Sequence, residues 1–252
     1  MKIIISPAKK MNVNTDDFPV SGLPKLMGKT EELMHWIQRL SLEEQRELWN
    51  CSDSLLMLNR ERFADMDLKK CLTPAILSYE GIQYQYMAPG VMETESLKYI
   101  AGHLRILSAF YGLLSPFEGV VPYRLEMQAK LKNRMFPGEK KDLYSCWGDD
   151  IYRELTAEDS VILNLASREY AGAVEPYLTK KDTFVTCIFG EWNGEKVVQK
   201  GTLAKMARGE MVNWLASIQA ETPKEAKGFD RLGFTFRDNL SSEQKYVFIR
   251  EK

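Results

Sequence analysis

The stretch LRILSAFYGLLSPFEGVVPYRLEM, residues 104–127, carries the reading of the whole chain. It opens apolar, breaks at a Gly, Ser-Pro and Gly cluster, and restarts around Tyr123-Arg124. On a helical wheel Leu104, Leu107, Tyr111 and Leu114 form one stripe. Arg105, Ser108, Ala109 and Gly112 form a second, small-sided stripe with one cation. The pattern predicts a helix, a turn limited by Pro116 and Pro122, and a second helix over residues 124–132. Such a unit points backbone N–H groups, flanked by Arg105 and Arg124, at a phosphate. A helix-hairpin-helix DNA module has a Gly–apolar–Gly hairpin. Here Gly112 and Gly119 stand seven residues apart, so the match is loose, and the small stripe taken by itself favours another helix packed against it.

Composition sets the outer bounds. The chain has 252 residues, 44% hydrophobic and 27% charged, enough to bury a sizeable core. Net charge is −1, with 34 Lys+Arg against 35 Asp+Glu, so a polyanion binder must gather its positive charge on one face. Cys51, Cys71, Cys146 and Cys187 lie far apart with no C-x-x-C, which argues against a zinc ribbon or redox dithiol. The apolar run at residues 3–5 is too short for a signal-peptide core, and no membrane-length run follows, so the expected location is cytoplasmic, with no membrane partner.

Residues 3–5 read as a buried strand and residues 12–25 as a loop. Helices follow over 26–40 and 42–63, with Ser41 as N-cap ahead of Glu43 and Glu44. Residues 75–77 read as a strand, 96–114 as a helix broken near Gly102, and 143–155 as a helix. A strand at 161–165 precedes a hairpin across Asn193-Gly194, an amphipathic helix at 203–218, and strands at 234–237 and 245–249. Interspersed strands and helices without repeat or linker predict a mixed α/β (α+β) fold in one domain, 1–252.

Four polar constellations stand out. Ser6-Pro7-Ala8-Lys9 closes the first strand, where a helix start and an anion site often coincide, although a turn with an exposed lysine fits as well. The Arg105 stripe is the second. In LYSCWGDD, residues 143–150, adjacent Asp149 and Asp150 diverge by about 100° on a helix. They make a poor metal clamp, and a buried Trp147 in contact with a glycine suits the motif better. In NLASREY, residues 164–170, Ser167 is placed to cap a helix after a strand. In the later helix Leu203, Ala207, Met211, Trp214 and Ile218 form the core stripe. Lys205 and Arg208, three residues apart outside it, can address one partner or form a solvated basic edge. The phosphate-loop, nucleophile-elbow and dinucleotide motifs are absent, and His35 and His103 lack metal-ligand spacing, so neither metal nor cofactor is expected.

Together these segments resemble the YaaA family (DUF328, UPF0246), described as peroxide stress response proteins. The matching motifs are IISPAK (4–9), AILSYEGIQY (75–84), residues 104–127, LYSCWGDDI (143–151), LNLASREY (163–170) and AKMARGEM (204–211). Weaker matches at 52–63 and from Gly228 onward extend the likeness over essentially the whole chain. The resemblance implies a cytoplasmic protein with a mixed sheet, surrounding helices, a helix-hairpin-helix-like element and a basic cleft. It also implies duplex DNA binding and a role in limiting oxidative damage. Carried onto this chain, the cleft cations are Lys9, Arg105, Arg124, Lys205 and Arg208, and the hairpin residues are Tyr111, Gly112, Leu113 and Ser115. Lys10 stands where the family often has Thr, and Met206 where it often has a second lysine.

Three functions follow as expectations. The first is non-enzymatic binding of double-stranded DNA with little sequence preference; about four neutralised phosphates would give a log–log salt slope near −3.6. The second is an enzyme acting on a nucleotide or other small anionic substrate, because Ser6, Trp147, Asp149, Asn164, Ser167 and Tyr170 accompany the cations in the matching segments. The third is a stress protein working through a protein partner or indirectly on iron.

Overall fold

The computed structural model describes residues 1–251. Eight strands form one sheet: β1 (Lys2–Ile5), β2 (Leu104–Ser108), β3 (Gly112–Leu114), β4 (Val161–Asn164), β5 (Thr183–Trp192), β6 (Val197–Val198), β7 (Phe234–Phe236) and β8 (Lys245–Arg250). Their spatial order is β7-β8-β5-β4-β1-β2-β3, with β6 paired to β5. The run β8-β5-β4-β1-β2 is parallel, while β3, β6 and β7 pair antiparallel. All four residues of β1 are buried. Three consecutive isoleucines leave no polar face, which suits a central parallel strand covered on both sides. From β1 the chain builds outward first to β2 and later, on the other flank, to β4. The order therefore reverses at β1, and such a switch point opens a crevice at the strand C-termini.

Around the sheet lie α1 (Met27–Gln38), α2 (Leu42–Trp49), α3 (Asp53–Ala64), α4 (Ile82–Met87), α5 (Thr94–His103), α6 (Leu143–Trp147), α7 (Asp150–Thr156) and α8 (Gly201–Ser217). Ser41 caps α2 as expected: its Oγ accepts from the Glu44 N–H, and the Glu44 carboxylate accepts from the Ser41 N–H in return. No helix is long and apolar enough to cross a membrane among the described residues.

Residues 104–127 differ most from expectation. No helix–turn–helix forms there. Helix α5 ends at His103, and Leu104 turns extended (φ −78°, ψ 138°). Strand β2 then pairs with β1, Ile3 opposite Leu104 and Ile5 opposite Ile106. A short apolar run buried on both faces carries no periodicity that distinguishes strand from helix, and the open flank of β1 decides for strand. Residues 109–111 form a tight turn, and β3 returns with Gly112 opposite Ser108. Gly112 has φ +75°, and a Cβ there would lie 2.8 Å from the Trp147 ring, so Trp147 fills the notch that Gly112 leaves. Tyr111, Gly112 and Leu113 are buried in this β-hairpin, and Ser115 follows it. They present no helical hairpin to a ligand.

The second expected helix is absent too. From Val121 to Met127 burial alternates, with Val121, Tyr123, Leu125 and Met127 inward and Pro122, Arg124 and Glu126 outward. That is the period of an extended chain. Ser108 anchors it: its Oγ accepts from the N–H groups of Phe110 and Tyr111, so its hydroxyl donates to Tyr123 Oη at 2.7 Å. Tyr123 Oη and Tyr79 Oη share a further hydrogen bond at 2.8 Å. Elsewhere the expected strand at 75–77 is a helical turn (Ala75–Ser78), and the helix expected over 143–155 breaks at Gly148 (φ +55°) between α6 and α7.

Candidate functional site

The crevice at the switch point is tied shut at its base. Ser6 follows β1 and Ser167 follows β4; Ser6 Oγ donates to Ser167 Oγ (3.1 Å) and accepts from the Ser167 N–H (2.8 Å). No helix starts at Ser6-Pro7; the chain runs on to pair Lys10–Met11 with Tyr79–Glu80. Ser167 stands before a single helical turn, Arg168–Ala171, but makes no side-chain cap, because its hydroxyl is engaged by Ser6. Asn164 is buried; its Oδ1 accepts from the Ala166 N–H and its Nδ2 donates to Thr186 Oγ1, so it shapes the loop.

Above this base opens a cleft of about 500 Å³, walled by the segments at Ser6–Lys10, α4, the extended strand-like 123–126, Ser167–Tyr170 and α8. Four of the expected cations meet here: Lys9, Arg124, Lys205 and Arg208. Ser6, Ser167 and Tyr170 line it as well. Lys10 adds a fifth cation, and Glu80, Glu126 and Glu169 supply the acids. Lys9 Nζ lies 2.8 Å and Arg124 Nη2 3.2 Å from the Glu126 carboxylate, and Lys10 Nζ lies 2.7 Å from Glu80. The Lys10 hydrogen bond holds the Glu80 carboxyl below its ordinary range.

Arg208 and Lys205 differ from these. Among the described residues neither has a hydrogen bond or an ion pair. Lys205 is exposed, whereas Arg208 is half-buried, and desolvation lowers the pKa of its guanidinium from the ordinary value, with the Cys187 sulfur opposing. Among the described residues, three buried donor atoms of residues that line this cleft lack partners: Arg208 Nε, Arg124 Nε and Gln83 Nε2. Gln83 is only 6% exposed. Burying a donor or a charge without a partner is costly, so these groups mark where an acceptor belongs.

The wall is rigid. A Cβ on Gly209 would lie 2.0 Å from the Gln83 carbonyl oxygen, so α8 and α4 touch backbone to backbone. That contact fixes the neighbours Arg208 and Gln83 on one cleft. It also turns α8: the buried face runs through Ala204, Ala207, Met211 and Leu215, while Leu203 and Trp214 are half-buried and Ile218 is exposed. Small residues face the crossing because large ones do not fit. Tyr84, Tyr123 and Tyr170 complete the lining. Burial raises all three phenols, Tyr123 to about 12, so they stay neutral. Tyr84 Oη donates to the Ser6 carbonyl.

Arg105 lies elsewhere. Its guanidinium donates to the carbonyls of Leu104 and Ala101 and pairs with Glu158 at 3.7 Å, because in a strand its side chain no longer shares a face with the cleft. Trp147 is buried, donating its indole N–H to the Ala109 carbonyl, and Asp149 pairs with Arg153. Tyr111 Oη accepts from the Val121 N–H, and the Ser115 N–H donates to Glu118. None of these lines the cleft. Sequence reasoning missed Gln83, Glu126, Tyr84 and Tyr123. The alternation of VPYRLEM was the available signal for two of them; the isolated glycine within the helical ARGEM was the signal for the crossing.

A larger hollow, about 820 Å³, opens at the opposite ends of β4 and β5. It gathers Asp159, Glu221, Asp238 and Glu243 beside Lys224 and Lys227, and so lacks a surplus of positive charge.

The sequence profile of the family described as Peroxide stress protein YaaA matches residues 1–240. A UPF0246 protein of Lachnoclostridium phytofermentans is 54% identical over 250 residues, covering 99% of this chain and 96% of its own. UPF0246 proteins of Agathobacter rectalis and Pediococcus pentosaceus are 52% and 50% identical, each covering 100% of this chain and 99% of theirs. With family profile and relatives spanning nearly its full length, the chain belongs to the YaaA peroxide stress protein family.

Proposed function

We propose that the switch-point cleft is a phosphate site through which this peroxide stress family member holds duplex DNA. The observation that supports this most is Arg208, a half-buried guanidinium with no acid partner, in the same cleft as the orphaned Gln83 donor. An anion placed there satisfies both, and phosphate oxygens are the acceptors that guanidinium and ammonium groups bind best. Contacts of this kind position a protein on the backbone and read little sequence. The binding element is a pair of packed helices and an extended segment; it has no helix-hairpin-helix.

Fluorescence anisotropy with a labelled duplex tests the reading. Lys205→Ala removes an exposed, unpaired cation and should weaken binding several-fold with an unchanged melting temperature. Unchanged affinity would remove α8 from the interface. A second reading, turnover of a nucleotide or other small anionic substrate, draws on the cleft volume and the Ser6–Ser167 hydroxyl pair. It is tested by incubating the protein with nucleotides and following product by chromatography.

A further inference from the structure

Resting on the reading of this cleft as a phosphate site, we infer that its preferred ligand is a terminal phosphate monoester, as carried by a free nucleotide or a strand end, over an internal phosphodiester. Two features of the cleft lead there.

The first is charge. Five cations face three carboxylates in the lining, a surplus of two. Glu126 and Glu80 hold Lys9, Arg124 and Lys10 with one positive charge left over among them; Lys205 and Arg208, which have no carboxylate contact, add two more, and Glu169 offsets one. A phosphate monoester carries close to two negative charges above its second pKa of about 6. A phosphodiester carries one and leaves part of the surplus around the half-buried Arg208 guanidinium uncompensated.

The second is the number and depth of the donors. Among the described residues Arg124 keeps a free Nε although Glu126 holds its guanidinium, and Lys205, Arg208 and Gln83 Nε2 are the three donor groups that no acid or acceptor holds. A monoester presents three free oxygens, one for each. An internal phosphodiester presents two, and sugars on both sides hold it away from a donor as deep as Gln83, which is 6% exposed. The backbone contact at Gly209 keeps Gln83 and Arg208 from swinging outward to meet it. The tyrosine walls offer neutral aromatic surface, their hydroxyls engaged internally at Tyr84 and Tyr123, beside which the rest of a nucleotide can lie.

The test uses the full-length chain and short duplexes of one sequence whose ends carry 5′-phosphate, 3′-phosphate or hydroxyl. Thymidine 5′-monophosphate and thymidine serve as competitors. We expect a phosphate-ended duplex to bind at least about tenfold tighter than its hydroxyl-ended twin, from one added charge-assisted contact. That advantage shrinks as pH drops below about 6. The monophosphate competes and thymidine does not. Gln83→Glu, similar in shape but repelling phosphate, abolishes the advantage. Should that variant fold poorly, the phosphorus resonance of the monophosphate titrated with wild-type protein reports the contact directly. Equal affinity for all ends, with Lys205→Ala weakening each, overturns the monoester inference and leaves DNA-backbone binding standing. Binding of the monophosphate without any duplex removes the DNA reading and retains the monoester. Absence of binding by every probe removes both.

Discussion

Glu126→Gln should nearly double the salt sensitivity of duplex binding. In the native chain this one carboxylate holds Lys9 Nζ at 2.8 Å through Oε2 and Arg124 Nη2 at 3.2 Å through Oε1. Lys10 is held by Glu80 at 2.7 Å. Lys205 and Arg208 are then the lining cations free to neutralise phosphates, and two neutralised phosphates give a log–log slope of about −1.8. The amide of Gln keeps the size of Glu126 and frees two further cations, which brings the slope to about −3.6. Between about 50 and 200 mM salt the native protein should lose roughly one decade of affinity and the variant roughly two. Stability should shift by about 1 kcal/mol or less, because Lys9 and Glu126 both reach solvent. Anisotropy titrations over a salt series measure the slopes, with melting temperature as control. A native slope already near −3.6, or a variant slope equal to the native one, would refute the assignment of free and held cations.

Three further outcomes follow from the same geometry. Gly209→Ala drives a Cβ into the Gln83 carbonyl and should cost about 1–3 kcal/mol in urea unfolding, together with weakened ligand binding; native stability would show that α4 and α8 separate freely. Tyr123→Phe strips the acceptor from the buried Ser108 hydroxyl and the hydrogen-bond partner from Tyr79, at about 1–3 kcal/mol; a loss below about 0.5 kcal/mol would discount that chain. The Glu44 carboxyl is held below its ordinary range first by the Ser41 backbone N–H and then by Arg134. A depressed carboxylate stabilises the fold above its unfolded pKa of about 4.3, and that stability is lost as pH falls through the lower folded value. Glu44→Gln should therefore flatten the acid limb of a stability–pH profile, and superimposable profiles would refute the pairing.

Much of the fold was legible residue by residue. The isoleucine run of β1, the Ser41 cap, the Asn193-Gly194 hairpin and the closing strands all declared themselves through local chemistry. Residues 104–114 did not, because a strand buried on both faces and an apolar helix share the same composition; only the vacant flank of β1, a hundred residues away in sequence, chooses between them. At 121–127 the alternation was present, yet helical punctuation outweighed it. For the site, residue type picked out Lys9, Arg124, Lys205 and Arg208, which converge. It also picked out Arg105, whose direction depended on the misread element. Gln83 was invisible as a polar residue in a short aromatic segment; its importance arises from burial, which no local pattern encodes.

The bond between Ser6 and Ser167 joins residues 161 positions apart. The cleft draws its walls from positions near 6, 83, 124, 167 and 208, so no fragment of the chain contains it. During synthesis the cleft is incomplete until α8 has cleared the ribosome, so under the proposed phosphate reading an unfinished chain lacks the site. Once complete, a ligand bound there clasps the first and last thirds of the polypeptide together, and its affinity adds to the resistance of the entire molecule against unfolding and proteolysis.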